Sequence, residues 1–294
     1  MSNKASLDCI IVSKAEHLSI LRLAIGSLQK YTNINNIYII TGLNNFPKLA
    51  GLANNVVLID ENLVLPSMTI YDLQVVKNIL LTKYPGWYFQ QLLKLSCAYN
   101  ETISDNYLVW DADTVLLRPL EFIDNDGKMI FTIATEYHPD YFLNYRKLIG
   151  EEPMREYSFI AQHMVMNKSI VKEMLENIDK RFPGKDDWPW KIINNLCGKS
   201  NQLFSEYEFY GHYVKKHYPD KFAIREIPWT RSGSSLTRGN PTPADLEQLS
   251  KKYFYASFEI WDSKINKLKN LAKPKVIYNK LNNLIKKICS YPEV

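Results

Sequence analysis

The chain has 294 residues, 46% hydrophobic and 13% aromatic, so it can bury a large core as one large α/β domain or as two intimately joined halves, and disorder is excluded. The net charge of +5 is small for this length, and without an Arg-rich stretch or zinc-finger spacing nucleic acid is not an expected partner. Four widely spaced cysteines (Cys9, Cys97, Cys197, Cys289), no C-x-x-C pair and no secretory signal read as free thiols in a reducing cytosol, and strand-sized apolar runs leave only peripheral membrane contact.

In chain order, Leu7 to Val12 reads as a buried strand, followed by Leu18, Leu21, Ile25 and Leu28 at helical spacing. Strands follow at Ile37 to Thr41, after the Asn-rich turn, and at Val56 to Ile59. This alternation argues for a mainly parallel sheet covered on both faces. Pro85-Gly86 breaks the chain before a helix from about Trp87 to Tyr99, and the strand Tyr107 to Trp110 then runs directly into Asp111-Ala112-Asp113-Thr114. The second half reads as a strand Met129 to Thr135, a strand Phe159 to Met166, a helix Ser169 to Arg181, a loop at Trp188-Pro189-Trp190, a helix opening at Ser205, and a flexible stretch from Arg231 to Pro243. Between Lys264 and Lys287 there are eight lysines and no acid, with Ile277, Leu281, Leu284, Ile285 and Ile288 at helical spacing, which reads as a basic amphipathic tail suited to an anionic membrane surface.

Asp111 and Asp113 carry the strongest chemical signal. Two carboxylates separated by one residue at the carboxyl end of a buried strand reach one site from a tight turn, and that is where open α/β sheets place ligands. Hard oxygen ligands suit Mn²⁺ or Mg²⁺, and such an ion would neutralise a diphosphate leaving group. On the preceding helix, Gln91 and Lys94 at i, i+3 face a common ligand: Lys94 pairs with a phosphate or with Asp111, whereas Gln90 reads as outer-face polarity. Ser205 and Glu208 fit a capping box, which explains Glu208 but leaves Glu206 at an exposed first turn, as general base or acceptor-sugar ligand, with Glu208 behind it. Asp8 is a buried strand carboxylate that requires a partner and is an expected nucleotide contact, with Ser13 and Lys14 beside the base or ribose.

Three blocks, Gly86-Trp87-Tyr88-Phe89-Gln90-Gln91-Leu92-Leu93-Lys94-Leu95, Tyr107 to Thr114, and Ser205-Glu206-Tyr207-Glu208-Phe209-Tyr210-Gly211, resemble a bacterial family of uncharacterised GT-A-type glycosyltransferases associated with surface polysaccharide synthesis. The resemblance implies an α/β, GT-A-like fold with a Rossmann-like, mainly parallel sheet. Residues 1–260 would form the catalytic domain, with a nucleotide-sugar half at 1–125 and an acceptor half at 126–260, and residues 261–294 the tail. It also implies a nucleotide-sugar donor, UDP-sugar favoured, a glycan or lipid-linked glycan acceptor, and a further metal ligand from the second half. His212 and His163 are the candidates for that ligand. The expected location is cytoplasmic, peripheral on the inner face of the cell membrane.

A nucleotidyltransferase of the same fold would place a glycine-rich loop after the first strand, and Val12-Ser13-Lys14-Ala15-Glu16 has no glycine. A non-catalytic carbohydrate-binding or scaffold protein is the other alternative, given six Trp and nineteen Tyr.

Overall fold

A computed structural model describes residues 7–14, 18–237, 240–259 and 262. The elements are β1 (Asp8–Val12), α1 (Leu18–Tyr31), β2 (Ile37–Thr41), α2 (Phe46–Leu49), β3 (Val56–Asp60), α3 (Leu73–Leu80), α4 (Pro85–Ser96), β4 (Asn106–Trp110), β5 (Thr114–Leu116), β6 (Met129–Thr132) and α5 (Pro139–Ile149). They continue with β7 (His163–Asn167), α6 (Lys168–Arg181), α7 (Trp188–Asn195), α8 (Glu206–His217), β8 (Phe222–Arg225), α9 (Gly233–Thr237), α10 (Pro243–Ser250) and β9 (Tyr255–Ser257). The basic stretch Lys264 to Lys287, with its apolar stripe, lies outside the described residues.

The central sheet has the order β3-β2-β1-β4-β7, parallel except for β7, which pairs antiparallel with β4. Every residue of β1 and β2 is buried, as expected of strands covered on both faces. The chain moves outward from β1 through β2 to β3 and then crosses back to β4 on the other side of β1. With right-handed crossovers this reversal puts α1 and α4 on opposite faces and makes the carboxyl ends of β1 and β4 a topological switch point. This is the α/β, mainly parallel architecture that the resemblance implies. One core cluster runs from Leu7 to Tyr255, and β7, from the second half, completes the sheet.

Three local expectations are corrected. The strand expected over Phe159 to Met166 begins only at His163, because Gln162 has φ 65°, a left-handed conformation that breaks the ladder. Trp188-Pro189-Trp190 opens α7 instead of forming a loop: Pro189 sits in the first turn, where its missing N–H has no intrahelical partner to lose. Within the stretch expected to be flexible, Gly233–Thr237 forms α9, held by the Asp262 carboxylate, which accepts from Ser235 N and Ser235 Oγ, each at 2.9 Å.

Among the described residues no helix is long and apolar enough to cross a membrane, and Cys9, Cys97 and Cys197 are free thiols.

Candidate active site

Asp111 follows β4 at the switch point. Thr114 N donates to Asp111 O at 3.0 Å, closing a four-residue turn, and the Trp110 indole Nε1 donates to Thr114 O at 2.7 Å, bracing it from the core. Both aspartates are therefore presented on a short, braced turn and remain partly accessible.

α4 and α8 meet over this turn. Lys94 Nζ lies 2.7 Å from Asp111 Oδ1, 2.6 Å from Glu206 Oε1 and 3.2 Å from Tyr207 Oη, and Tyr207 Oη donates to Asp111 Oδ1 at 2.8 Å. An ammonium has three N–H donors, and these three contacts use them all. Of the two partners expected for Lys94, a phosphate or Asp111, the structure provides Asp111. Burial works against the charge on Lys94, but Asp111 and Glu206 outweigh it and hold the ammonium protonated well above the ordinary lysine range. For Glu206, burial raises the carboxyl pKa, Lys94 opposes the rise and Asp111 adds to it.

Two expectations about α8 are corrected. Glu206 is buried, at 3% exposure, because the packing of α8 on α4 closes over its first turn. Glu208 does not reach back to the cap. Ser205 Oγ accepts from Glu208 N at 3.4 Å, but the Glu208 carboxylate accepts from Ser158 Oγ at 2.5 Å and stands 2.9 Å from His212 Nε2.

Gln91 is a positioning residue. Its Oε1 accepts from Glu206 N at 2.9 Å and its Nε2 donates to Trp87 O at 3.3 Å, so the side chain caps α8. Gln90 Nε2 donates to Val12 O at 3.4 Å, tying α4 to the carboxyl end of β1. Ser13 and Lys14 lie at that same end, Ser13 buried and Lys14 exposed.

Asp8 is not at the site. It pairs with Tyr107 at the amino end of β1, four residues and about 13 Å of strand from Val12. Its Oδ1 accepts from Asn36 N and Nδ2, and its Oδ2 from Ser104 N and Oγ, so the buried carboxylate finds its partners in two loops. His212 is not at the aspartate turn either. It is buried among the rings of Phe142, Tyr145 and Phe159, and among the described residues no three His, Cys, Asp or Glu side chains converge as a metal-ligand set. His163 stacks on Trp110 at 5.1 Å with Nε2 3.2 Å from Thr132 Oγ1, and burial keeps it neutral.

The structure adds residues that sequence reasoning missed. β9 pairs with β5, with Thr114 opposite Ser257, and Phe258 N donates to Asp113 O at 2.8 Å, which brings Glu259 to the aspartate turn. Arg231 Nε lies 2.7 Å from Glu259 Oε1, and Arg231 Nη1 is ion-paired with Glu136. The Gln162 amide, its nitrogen turned towards Asp111 as the surrounding donors and acceptors require, spans 3.2 Å to Asp111 Oδ2 and 3.3 Å to Arg231 Nε. Among the described residues, Asp111, Asp113, Glu136, Glu206 and Glu259 thus share Lys94 and Arg231 as their cations, with His138 beside Glu136. Burial, then Asp111, pushes the Asp113 carboxyl up to about 6. Burial likewise pushes Glu259 up to about 7, against Arg231 and with help from Asp113 and Asp111. A surplus of negative charge beside hard oxygen ligands fits a divalent cation, which Asp111 and Asp113 would hold.

The fold and site define an α/β protein with an acidic, lysine-anchored turn at the switch point of a mainly parallel sheet. The chain belongs to the family of unknown function DUF6492, whose profile matches residues 8–227. No curated protein matches it in sequence. Among solved structures it is similar to the galactosyltransferase LgtC in complex with donor and acceptor sugar analogs, with 12% identity over 85% of this chain and 86% of that one and a TM-score of 0.39. It is also similar to apo mouse xyloside xylosyltransferase 1, with 14% identity over 86% and 98% of the two chains and a TM-score of 0.47. The apo bifunctional glycosyltransferase WbbM matches at 13% identity over 95% of this chain and 52% of that one, with a TM-score of 0.44.

Proposed function

We propose that the protein is a metal-dependent glycosyltransferase that moves a sugar from a nucleotide-sugar donor, UDP-sugar favoured, to a glycan or lipid-linked glycan acceptor in bacterial surface polysaccharide synthesis. The observation that carries this reading is the Asp111-Ala112-Asp113 turn at the switch point, anchored through Lys94 to Glu206. Asp111 and Asp113 would hold Mn²⁺ or Mg²⁺, which supplies charge neutralisation for a departing diphosphate. Lys94 and Tyr207 fix the Asp111 carboxylate by direct hydrogen bonds. Ser13 and Lys14 stand where the nucleoside end of a donor enters, across the β1 and β4 carboxyl ends.

In the transfer step the acceptor hydroxyl oxygen bonds to the anomeric carbon, the bond from that carbon to the diphosphate breaks with its electron pair, and the hydroxyl proton goes to Glu206. Oε1 of Glu206 is held by Lys94, and Oε2 is the oxygen assigned to the proton. Burial raises the pKa of this carboxyl, and the Lys94 charge opposes the rise in favour of the ionised form that a base requires.

Thermal stabilisation and donor hydrolysis across a panel of UDP-sugars with Mn²⁺ test the reading. Wild type is expected to be stabilised by at least one donor only when the ion is present. Asp113→Ala, folded by circular dichroism, is expected to lose that response. Wild-type transfer rates in Asp113→Ala would remove the metal assignment. The absence of any donor response in wild type would remove the transferase.

A further inference from the structure

Trp87, Gln91 and Lys94 stand at i, i+4 and i+7 on α4 and share one face, about 10 Å from end to end. Gln91 and Lys94 are both committed to Glu206, so the half-buried Trp87 ring projects one turn beyond that carboxylate on the same side. Tyr141, from the first turn of α5, lies against Trp87, with ring centroids 6.3 Å apart and planes within 20°. The His138 ring follows at 4.7 Å from Tyr141, and its Nε2 is 3.2 Å from Glu136 Oε2. Glu136 is in turn ion-paired with Arg231, which leads to Glu259 and back to the aspartate turn. A row of three rings therefore leads away from Glu206, with carboxylates along its edge.

The Tyr141 hydroxyl has no hydrogen-bond partner among the described residues. It is held protonated by burial first and then by the fields of Glu206 and Glu136. The His138 and Glu136 side chains are 41% and 26% exposed, so their polar groups are open to a ligand.

We propose that the partly exposed Trp87 and His138 rings, seated on the buried Tyr141 ring, form the stacking wall of a subsite for a neutral pyranose ring of the acceptor glycan, with Glu136 and the Tyr141 hydroxyl meeting its hydroxyl groups. Apolar ring faces beside a few fixed polar groups suit a ligand that has a C–H face and a rim of hydroxyls. The carboxylates select within that description. An anionic phosphate is repelled by Glu136 and Glu206, and a purely apolar ligand would cover the Tyr141 hydroxyl without offering it a hydrogen bond. The inference rests on the transferase reading for the word acceptor, but the wall itself binds sugar whether or not the donor is present.

The test is ligand-observed saturation-transfer NMR on the full-length protein with the methyl glycosides of glucose, galactose and mannose, without nucleotide or metal. At least one glycoside is expected to show saturation of its ring protons. Trp87→Ala and His138→Ala are each expected to weaken binding by roughly three- to tenfold, and Trp87→Phe to retain most of it. His138 is the half-exposed end of the wall, so its replacement tests the inference even if Trp87→Ala fails to fold. Equal saturation in wild type and His138→Ala, or none with any of the three glycosides, overturns the wall. Donor hydrolysis with Mn²⁺, measured separately on wild type, decides the transferase reading: hydrolysis without glycoside saturation defeats the wall alone, and saturation without hydrolysis defeats the transferase alone.

Discussion

Asp111 and Glu206 are bound to the same ammonium: Lys94 Nζ is 2.7 Å from one carboxylate and 2.6 Å from the other, with Lys94 and Glu206 both buried. Two carboxylates 95 positions apart in sequence are thereby fixed relative to each other by one side chain. Removing one member of a buried ion pair leaves an uncompensated charge, at a cost of about 3–5 kcal/mol. Lys94→Met is therefore expected to lower stability by that order. Lys94→Met combined with Glu206→Gln should recover part of the loss, because one of the stranded charges is gone. Urea denaturation of the two single variants and the double variant measures the coupling. Strict additivity would show that the three groups do not interact.

Glu206 and Glu208, two residues apart on α8, have separate tasks. Glu206→Gln keeps the shape of the Lys94 contact but cannot take a proton, so turnover is expected to fall by on the order of 10²-fold or more with donor affinity nearly unchanged. Glu208 faces Ser158 and His212 instead, and Glu208→Gln should cost stability by about 1–3 kcal/mol through poorly satisfied buried groups. Steady-state kinetics with nucleotide-sugar titrations separate the two. Loss of donor affinity in Glu206→Gln would move that residue into the donor site.

The sheet was legible in the sequence because β1, β2 and β4 are continuous apolar runs, and the aspartate turn because its two acids are neighbours in the chain. Glu259 carried no such signal. It is a lone acid in an aromatic stretch, and it arrives at Asp113 only through the pairing of β9 with β5, where Thr114 and Ser257 meet across 143 residues. Arg231 was hidden for the same reason: both carboxylates it joins are distant in sequence. Asp8 misled in the opposite direction. A buried strand acid does require a partner, but strand polarity puts it at the wrong end, and loop amides and hydroxyls satisfy it. The burial of Glu206 depends on how two helices pack, which a capping pattern does not encode.

Glu259 makes the metal-free protein sensitive to pH. Its folded pKa is raised from 4.5 to about 7 by burial first and by Asp113 and Asp111 next, with Arg231 opposing. The folded state therefore binds more protons than the unfolded chain between these values, and the contribution to stability, present below about 4.5, is lost as pH rises through about 7. In chelator-treated protein, Tm is expected to fall across this window. Glu259→Gln should fall less steeply, retaining a slope of the same sign from Asp113, whose carboxyl is raised to about 6. Differential scanning fluorimetry from pH 4 to 8 checks it. A variant whose profile parallels wild type would mean that Glu259 does not titrate in this range.

Gly211, in the middle of α8, has its place because of Phe159. A Cβ added there would come within 2.4 Å of the Phe159 Cδ2 and Cγ atoms, so the ring lies almost on the helix backbone. Phe159 is fully buried and makes edge contacts with Phe131 at 5.7 Å and His212 at 5.2 Å, which leaves it no free volume to move into. Replacing an exposed helical glycine by alanine normally stabilises by about 1 kcal/mol, whereas overpacking a close-packed core costs about 1–3 kcal/mol. The contact distance decides between them, and Gly211→Ala is expected to be destabilising. Phe159→Leu on its own should also destabilise, by opening space. The double variant should lose less than the sum of the two, since leucine vacates the volume that the added methyl needs. Urea midpoints of the four proteins give the coupling directly. A Gly211→Ala variant more stable than wild type would mean that the Phe159 ring is not seated on α8.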